Sequence, residues 1–303
     1  MLLPLAWATL KGMQHELTQD QIESILKGVS IPPQPQVMVD LQMEQMNPNC
    51  NIDTIARLIS QDVGLAGSIL KTVNSPFYHL SNHITSIGQA VSILGVNSVV
   101  NLVNAQSIKG ALSDEDIIAM GRFWDNAMDV AMASAVIARQ VGFPNPDEAY
   151  TLGLFHNAGI PLLSSRYSDY AKVVELSYAE EEKAISDIEN EQLGTNHCVV
   201  GYYVGKSWHL PKYLCEAIHD HHKIAKVFTE ETSNSQKKTL LAILKMAEHI
   251  CGTYKTLGNQ DINHEWNRNK DTLLVYIGLS AYEFDSLELQ ISEMGLGTTD
   301  YYS

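Results

Sequence analysis

Apolar residues along most of this chain recur three and four positions apart, the spacing that lines one face of an α-helix. No stretch of useful length alternates as a strand would. Ile55, Leu58, Ile59, Leu65, Ile69 and Leu70 form the first clear stripe, with Asn51 or Asp53 placed to cap it. The turn-forming run Asn74-Ser75-Pro76-Phe77 interrupts the pattern. Ile87, Ala90, Val91 and Leu94 resume it as far as Gly95, and Val99, Leu102 and Val103 carry it on. Upstream, IPPQPQ (residues 31–36) predicts an extended lead-in, because proline cannot donate to a helix and restricts the residue before it.

A second helical group begins near Arg122 after an acidic connector, Ser113 to Asp116. Phe123, Asn126, Ala127, Val130, Ala133 and Ile137 share one stripe, and Gly142-Phe143-Pro144 ends it. Asn145-Pro146 predicts a capped helix start. That helix carries Ala149, Leu152 and His156 on one face, with Gly159 and Pro161 expected to end it. Thr195 or Asn196 opens a helix through His197, Val200, Gly201 and Val204. Pro211 opens another in which Leu214, Ile218, His221, His222 and Ala225 align. Leu241, Leu244, Glu248 and Cys251 share a later face, and Glu230 to Gln236 is the expected loop before it. The pattern predicts an all-α fold.

The informative residues are the polar ones on these apolar stripes: Asn126, His156-Asn157, His197, His221-His222 and Glu248. Asn126 is three after Phe123 and four before Val130; Glu248 is four after Leu244 and seven after Leu241. An inward carboxylate is costly unless paired, hydrogen-bonded or bound to a cation. Imidazole with carboxylate suits zinc, iron or manganese. The same residues could equally satisfy one another as a buried polar network with trapped water, and periodicity does not separate the two readings.

Composition narrows the function. Of 303 residues, 45% are apolar and 18% charged, the balance of a globular chain with ample length for a packed core. Net charge is −15, and residues 113–200 carry 15 acidic groups against 5 basic ones, a surface that repels a phosphate backbone. The acidic run Glu180-Glu181-Glu182 reads as a solvated helix face. Ser86 to Val103 has a helix-turn-helix outline, yet Ile84 to Gly110 holds one charged residue, Lys109, so a buried helix pair is expected there. Gly201 and Gly205 suit close helix packing, and Trp124 and Trp208 suit the core. Cys50, Cys198, Cys215 and Cys251 are scattered without a C-x-x-C pair, as in reduced cytosolic proteins. The opening MLLPLAWATLKG lacks the basic region of a signal peptide, and no run reaches the length of a membrane span. A cytoplasmic protein is expected, with no nucleic-acid or membrane partner.

Three segments resemble the HDOD family, the HD-related output domains of bacterial signalling proteins. IPPQPQVMVDLQ leading to IARLISQDVGLAGSILKTVNSPFY resembles the family's proline-led entry, its I-x-x-D-x-x-L helix (Ile59, Asp62, Leu65) and its Asn-Ser turn. SIGQAVSILGVNSVVNLV is similar to the A-I-x-x-L-G helix pair. The third segment runs from FWDNAMDVA through AYTLGLFHNAGI and NHCVVGYYVGKSWHLP to AIHDHH. Together they cover about residues 18–226. The resemblance implies an N-terminal helical lobe (18–111) and an HD-like lobe (122–226), after a segment 1–17 and before a helical extension, 227–303, packed on the second lobe.

HDOD domains are similar to the HD-domain metal-dependent phosphohydrolases, and that likeness implies roles for the inward residues. The first His position of the enzymes falls on Asn126, and their His-Asp pair on His156-Asn157. The later histidines fall on His197, His221 and His222, and the closing aspartate on Glu248, by a looser alignment. Asparagine offers a neutral oxygen where the enzymes present a carboxylate, which weakens metal binding and water activation. The resemblance therefore implies a degenerate metal site: His156, His197, His221, His222 and Glu248 remain as ligands for a residual divalent ion (manganese, iron or zinc), and no cofactor is required. It implies a regulatory module in bacterial signalling that acts on a protein partner. With no receiver, GGDEF, EAL or kinase motif apparent in the remaining length, a stand-alone module is expected. Two other readings stay open: a phosphohydrolase acting on a nucleotide or cyclic dinucleotide, and a small-ligand sensor.

Overall fold

Side-chain caps open several of the helices. The computed structural model describes residues 19–31, 36–78, 80–109, 121–230 and 234–297. All secondary structure among them is helical. The segment 1–17, the three prolines of the lead-in, the connector Ser113 to Asp116 and residues 231–233 of the expected loop lie outside the described residues.

After α1 (Gln19–Leu26) and α2 (Gln36–Met46), Asn51 accepts the Asp53 backbone N–H and opens α3 (Ile52–Ser60). The stripe from Ile55 to Leu70, expected as one helix, is two. Asp62 accepts the Leu65 N–H at 3.0 Å and starts α4 (Val63–Val73). Apolar spacing runs across the break because both helices bury Ile55, Ile59, Leu65 and Ile69 in the same core. Beyond α4, the Asn74 side chain donates to the Ile84 carbonyl and accepts the Ile84 N–H, both at 2.7 Å, so one amide closes the loop between them. Gly95, at φ +81°, separates α5 (Ile87–Leu94) from α6 (Val96–Lys109). Ala90, Val91, Val99, Leu102 and Val103 of this pair are buried, as a core helix pair requires.

α7 (Gly121–Gln140) buries the whole stripe from Phe123 to Ile137. α8 (Pro146–Phe155) packs along α7 and also meets α6. Gly159 and Pro161 do not simply end that helix as expected; they open α9 (Gly159–Arg166), where the proline lies in the first turn and its missing N–H goes unneeded. α10 (Tyr170–Ala179), α11 (Ile185–Leu193), α12 (His197–Ser207) and α13 (Lys212–Asp220) follow. Glu180 to Glu182 form a bend after α10 rather than a helix face, and Arg268 donates to the Glu180 and Glu181 carbonyls there. Asn196 is the cap of α12, accepting the Val199 N–H. The helix from Pro211 also differs from expectation: it stops at Asp220, His221 and His222 follow its end, and Ala225 belongs to α14 (Ile224–Thr229).

α15 (Ser235–Ile250) is deeply enclosed, with every residue from Leu240 to Glu248 buried. It packs against α7, α8 and α13, and against α17 (His264–Ile277). α16 (Thr253–Thr256) and α18 (Ala281–Glu293) complete the set. Trp208 is fully buried and Trp124 half-buried. Among the described residues no helix is long and apolar enough to cross a membrane.

Two glycines set how closely the elements approach the site. A Cβ on Gly159 would lie 2.2 Å from the His197 carbonyl oxygen, so only glycine lets the start of α9 rest on the start of α12. A Cβ on Gly201 would meet Ile218 at 3.0 Å, which is how α12 lies close against α13.

Candidate functional site

The four inward histidines converge. His156 follows the last turn of α8, His197 opens α12, and His221 and His222 follow α13; all four are buried. Ring centroids lie 5.3 Å apart for His156 and His221, 5.1 Å for His197 and His221, and 4.1 Å for His221 and His222.

Each imidazole is held by its Nδ1. That of His156 lies 2.6 Å from the Gly153 carbonyl, and that of His221 lies 2.6 Å from the Ile218 carbonyl. The Nδ1 of His197 meets Glu189 Oε2 at 2.6 Å, and that of His222 lies 2.8 and 2.9 Å from the two oxygens of Glu265. In a ring that is neutral these acceptors place the proton on Nδ1 and leave Nε2 as the lone pair, whereas a protonated ring donates from both nitrogens. The Nε2 atoms of His197 and His221 stand 3.2 Å apart, and those of His156 and His222 have no hydrogen-bond partner.

Glu248 comes to the cluster from α15, with Oε1 3.4 Å from His156 Nε2. Its other oxygen lies 2.7 Å from the ammonium of Lys245, one turn earlier on the same helix. The Lys245 ammonium also meets Glu265 Oε2 at 2.9 Å. Burial alone would raise both carboxyls. The Lys245 charge with His156 holds Glu248 far below its ordinary value, and His222 with Lys245 holds Glu265 at about 2. Burial pushes the His222 imidazole down to about 4 against the pull of Glu265, and burial with its charged neighbours also lowers His221. His197 is the exception: burial opposes its charge, yet Cys198 and Glu189 raise it well above the usual imidazole value.

The two asparagines behave differently. Asn126 spends its whole side chain on structure, donating to the Cys251 carbonyl and accepting from the Thr253 hydroxyl, each at 3.0 Å. It ties α7 to the turn between α15 and α16. Asn157 is buried beside His156, and its Oδ1 has no hydrogen-bond partner.

Four residues of this centre were not read from the sequence. Glu189 lies four after Ile185 on an inward face, the spacing that marked Glu248. It accepts from the Tyr170 hydroxyl, from the His197 backbone N–H at 3.1 Å and from the His197 ring. Lys245 lies four after Leu241 on the stripe already recognised. Cys198 is buried next to His197, with Sγ 3.6 Å from His197 Nε2. Glu265 lies in the first turn of α17 and has no local pattern to announce it. A cavity of about 10 Å³ is lined by Tyr178, Lys245, Glu248, Thr253, Glu265 and Trp266, room for about one water.

An all-helical scaffold thus gathers four buried histidines beside the Glu248 carboxylate, with Asn126 buried on α7 and Asn157 buried next to His156. Residues 31–224 match the family model of the HDOD domain, and the chain belongs to that family. An uncharacterized protein of Treponema pallidum (strain Nichols) is 26% identical over an alignment of 204 residues that covers 64% of this chain and 38% of the relative. The match thus spans well under half of that relative's length. Among solved structures, a Shewanella amazonensis SB2B protein named "Putative phosphohydrolase" has a similar fold, with TM-score 0.64 and 21% identity over 89% of this chain and 94% of that one. A Marinobacter aquaeolei VT8 protein named "Putative signal transduction protein" gives TM-score 0.57 and 18% identity over 96% of this chain and 64% of that one.

Proposed function

We propose that the chain is a signalling module that acts by binding a protein partner and does not hydrolyse phosphodiesters. The observation that carries this is Lys245. In an HD-type hydrolase the closing carboxylate helps hold a cation that acidifies water. Here the Glu248 carboxylate is already neutralised by a buried ammonium on its own helix, 2.7 Å away. The side chain at the first histidine position, Asn126, has both its atoms engaged elsewhere. Asn157 brings no charge. These residues do not fit a two-metal hydrolytic centre, and no catalytic step is assigned to them.

The cavity beside the cluster is water-sized, whereas small-molecule sites need roughly 300–1,000 Å³. That supports neither a nucleotide substrate nor a nucleotide sensor at this position. The acidic surface of residues 113–200 favours a partner other than nucleic acid. In this reading residues 18–226 form the HDOD unit, with lobes at 18–111 and 122–226, and residues 227–303 pack on the second lobe.

The full chain, assayed with manganese, iron(II) or zinc against linear and cyclic dinucleotides and a generic phosphodiester, is expected to give no turnover above the metal alone. Turnover that disappears in His156→Ala would overturn the reading.

A further inference from the structure

We propose that His197, Cys198, His221 and His222 form a closed, four-coordinate zinc site, which shares three histidines with the HD pattern and adds the Cys198 thiol. One ligand atom from each of the four lies within 4.8 Å of the other three. Cys198 belongs to no position of that pattern, while His156, Asn157 and Glu248, which do, are not in the set.

Two of the ligand separations already match a tetrahedral zinc site. Zinc bonds of about 2.0–2.3 Å to nitrogen and sulfur put neighbouring ligand atoms roughly 3.3–3.8 Å apart. His197 Nε2 and His221 Nε2 stand at 3.2 Å, and Cys198 Sγ and His197 Nε2 at 3.6 Å. His222 offers its Nε2, because its Nδ1 is engaged by Glu265. That Nε2 is buried without a partner. Two imidazole nitrogens this close repel unless something positive, a proton or a metal ion, lies between them.

The surroundings are built as zinc sites are. A ligating histidine characteristically presents its other ring nitrogen to a carboxylate or a backbone carbonyl, which fixes the ring and raises its basicity. Glu189, Ile218 and Glu265 do this for His197, His221 and His222 in turn. Three imidazoles with one thiol are a borderline-soft set that suits zinc over magnesium or calcium. The thiol binds as thiolate, so its proton leaves to solvent as the zinc–sulfur bond forms. Four protein ligands leave no position for a substrate or for activated water, as in structural zinc sites.

The inference deepens the regulatory reading, since a filled site of this kind holds α12 and the end of α13 together without turnover. The two fail separately: hydrolysis by zinc-loaded protein would sink the regulatory reading, and absence of zinc binding would sink this one.

The test uses the full chain purified without affinity-tag metal, stripped with a chelator and titrated with zinc, then with cobalt(II). One zinc per chain and a raised Tm are expected. Cobalt is expected to give intense tetrahedral visible bands and a thiolate-to-cobalt charge-transfer band in the near ultraviolet. Cys198→Ser should lose the charge-transfer band and keep visible bands, and Glu189→Gln should weaken zinc binding about 10–100-fold. Failure of the wild-type chain to bind stoichiometric zinc overturns the proposal whatever the variants do. So does a charge-transfer band that survives in Cys198→Ser, or binding that survives in His222→Gln but is lost in His156→Gln.

Discussion

Lys245 and Glu248 lie one helical turn apart on α15, both buried, and each is tolerable there because it faces opposite charge, with Glu265 as a second partner of the ammonium. Replacing Lys245 with Met strands two buried carboxylates, Glu248 and Glu265. A loss of about 3–5 kcal/mol in urea unfolding is expected. The double variant Lys245→Met, Glu248→Gln should recover part of that loss, because one of the stranded charges is gone. The same pair predicts the outcome of restoring the HD pattern. Asn126→His with Asn157→Asp puts both enzyme residues back and leaves the ammonium in place, so no phosphodiester turnover is expected with manganese; activity in that variant would show that the asparagines alone had been the barrier.

At the scale of elements, inward faces were readable from spacing, and helix ends less so. The histidines and Glu248 were legible because three- and four-residue spacing places them inward whatever they touch. The split at Asp62 was hidden because the apolar spacing continues across it; only the Asp62 cap reveals the break. Pro161 misled for a related reason: proline both ends helices and begins them, and position in the first turn decides which. Lys245 and Glu189 carried a readable spacing. Glu265 did not, since its partner His222 is 43 residues away in sequence and only packing brings α17 to the cluster. The junction of α9 with α12 carries a prediction of its own. Gly159→Ala drives a methyl against the His197 carbonyl and should destabilise by about 2–3 kcal/mol, read as a lower denaturation midpoint with an unchanged m-value.

For the whole molecule, the unbroken buried run from Leu240 to Glu248 makes α15 part of the core that α7 and α8 build. The family match ends at residue 224, before that helix begins. A chain cut after residue 226 is therefore expected to lose cooperative thermal unfolding by circular dichroism, since α7, α8 and α13 would be left with an uncovered apolar face. The buried centre also sets the response to acid. The folded protein refuses His222 the proton that an unfolded imidazole takes near 6.5, so stability falls as pH drops from about 6.5 toward about 4, by on the order of 3 kcal/mol. Glu265, ionised in the fold down to about 2 against 4.5 unfolded, extends the loss through that lower window. Above pH 6.5 the raised His197 acts in the opposite sense. Unfolding midpoints measured from pH 6.5 to pH 3 should decline, and a flat profile between 6.5 and 4.5 would contradict the His222 assignment.

Lys245 has one more consequence, for covalent labelling. Acylating and alkylating reagents attack an amine only as its free base and only within reach. Burial and two carboxylates deny Lys245 both conditions, whereas the ammonium groups of Lys172 and Lys212 lie open to solvent. In a time course followed by peptide mass spectrometry, those two lysines mark reagent strength. Lys245 should gain mass only as fast as the core opens, so this one amine acts as a clock for unfolding in the unmodified protein.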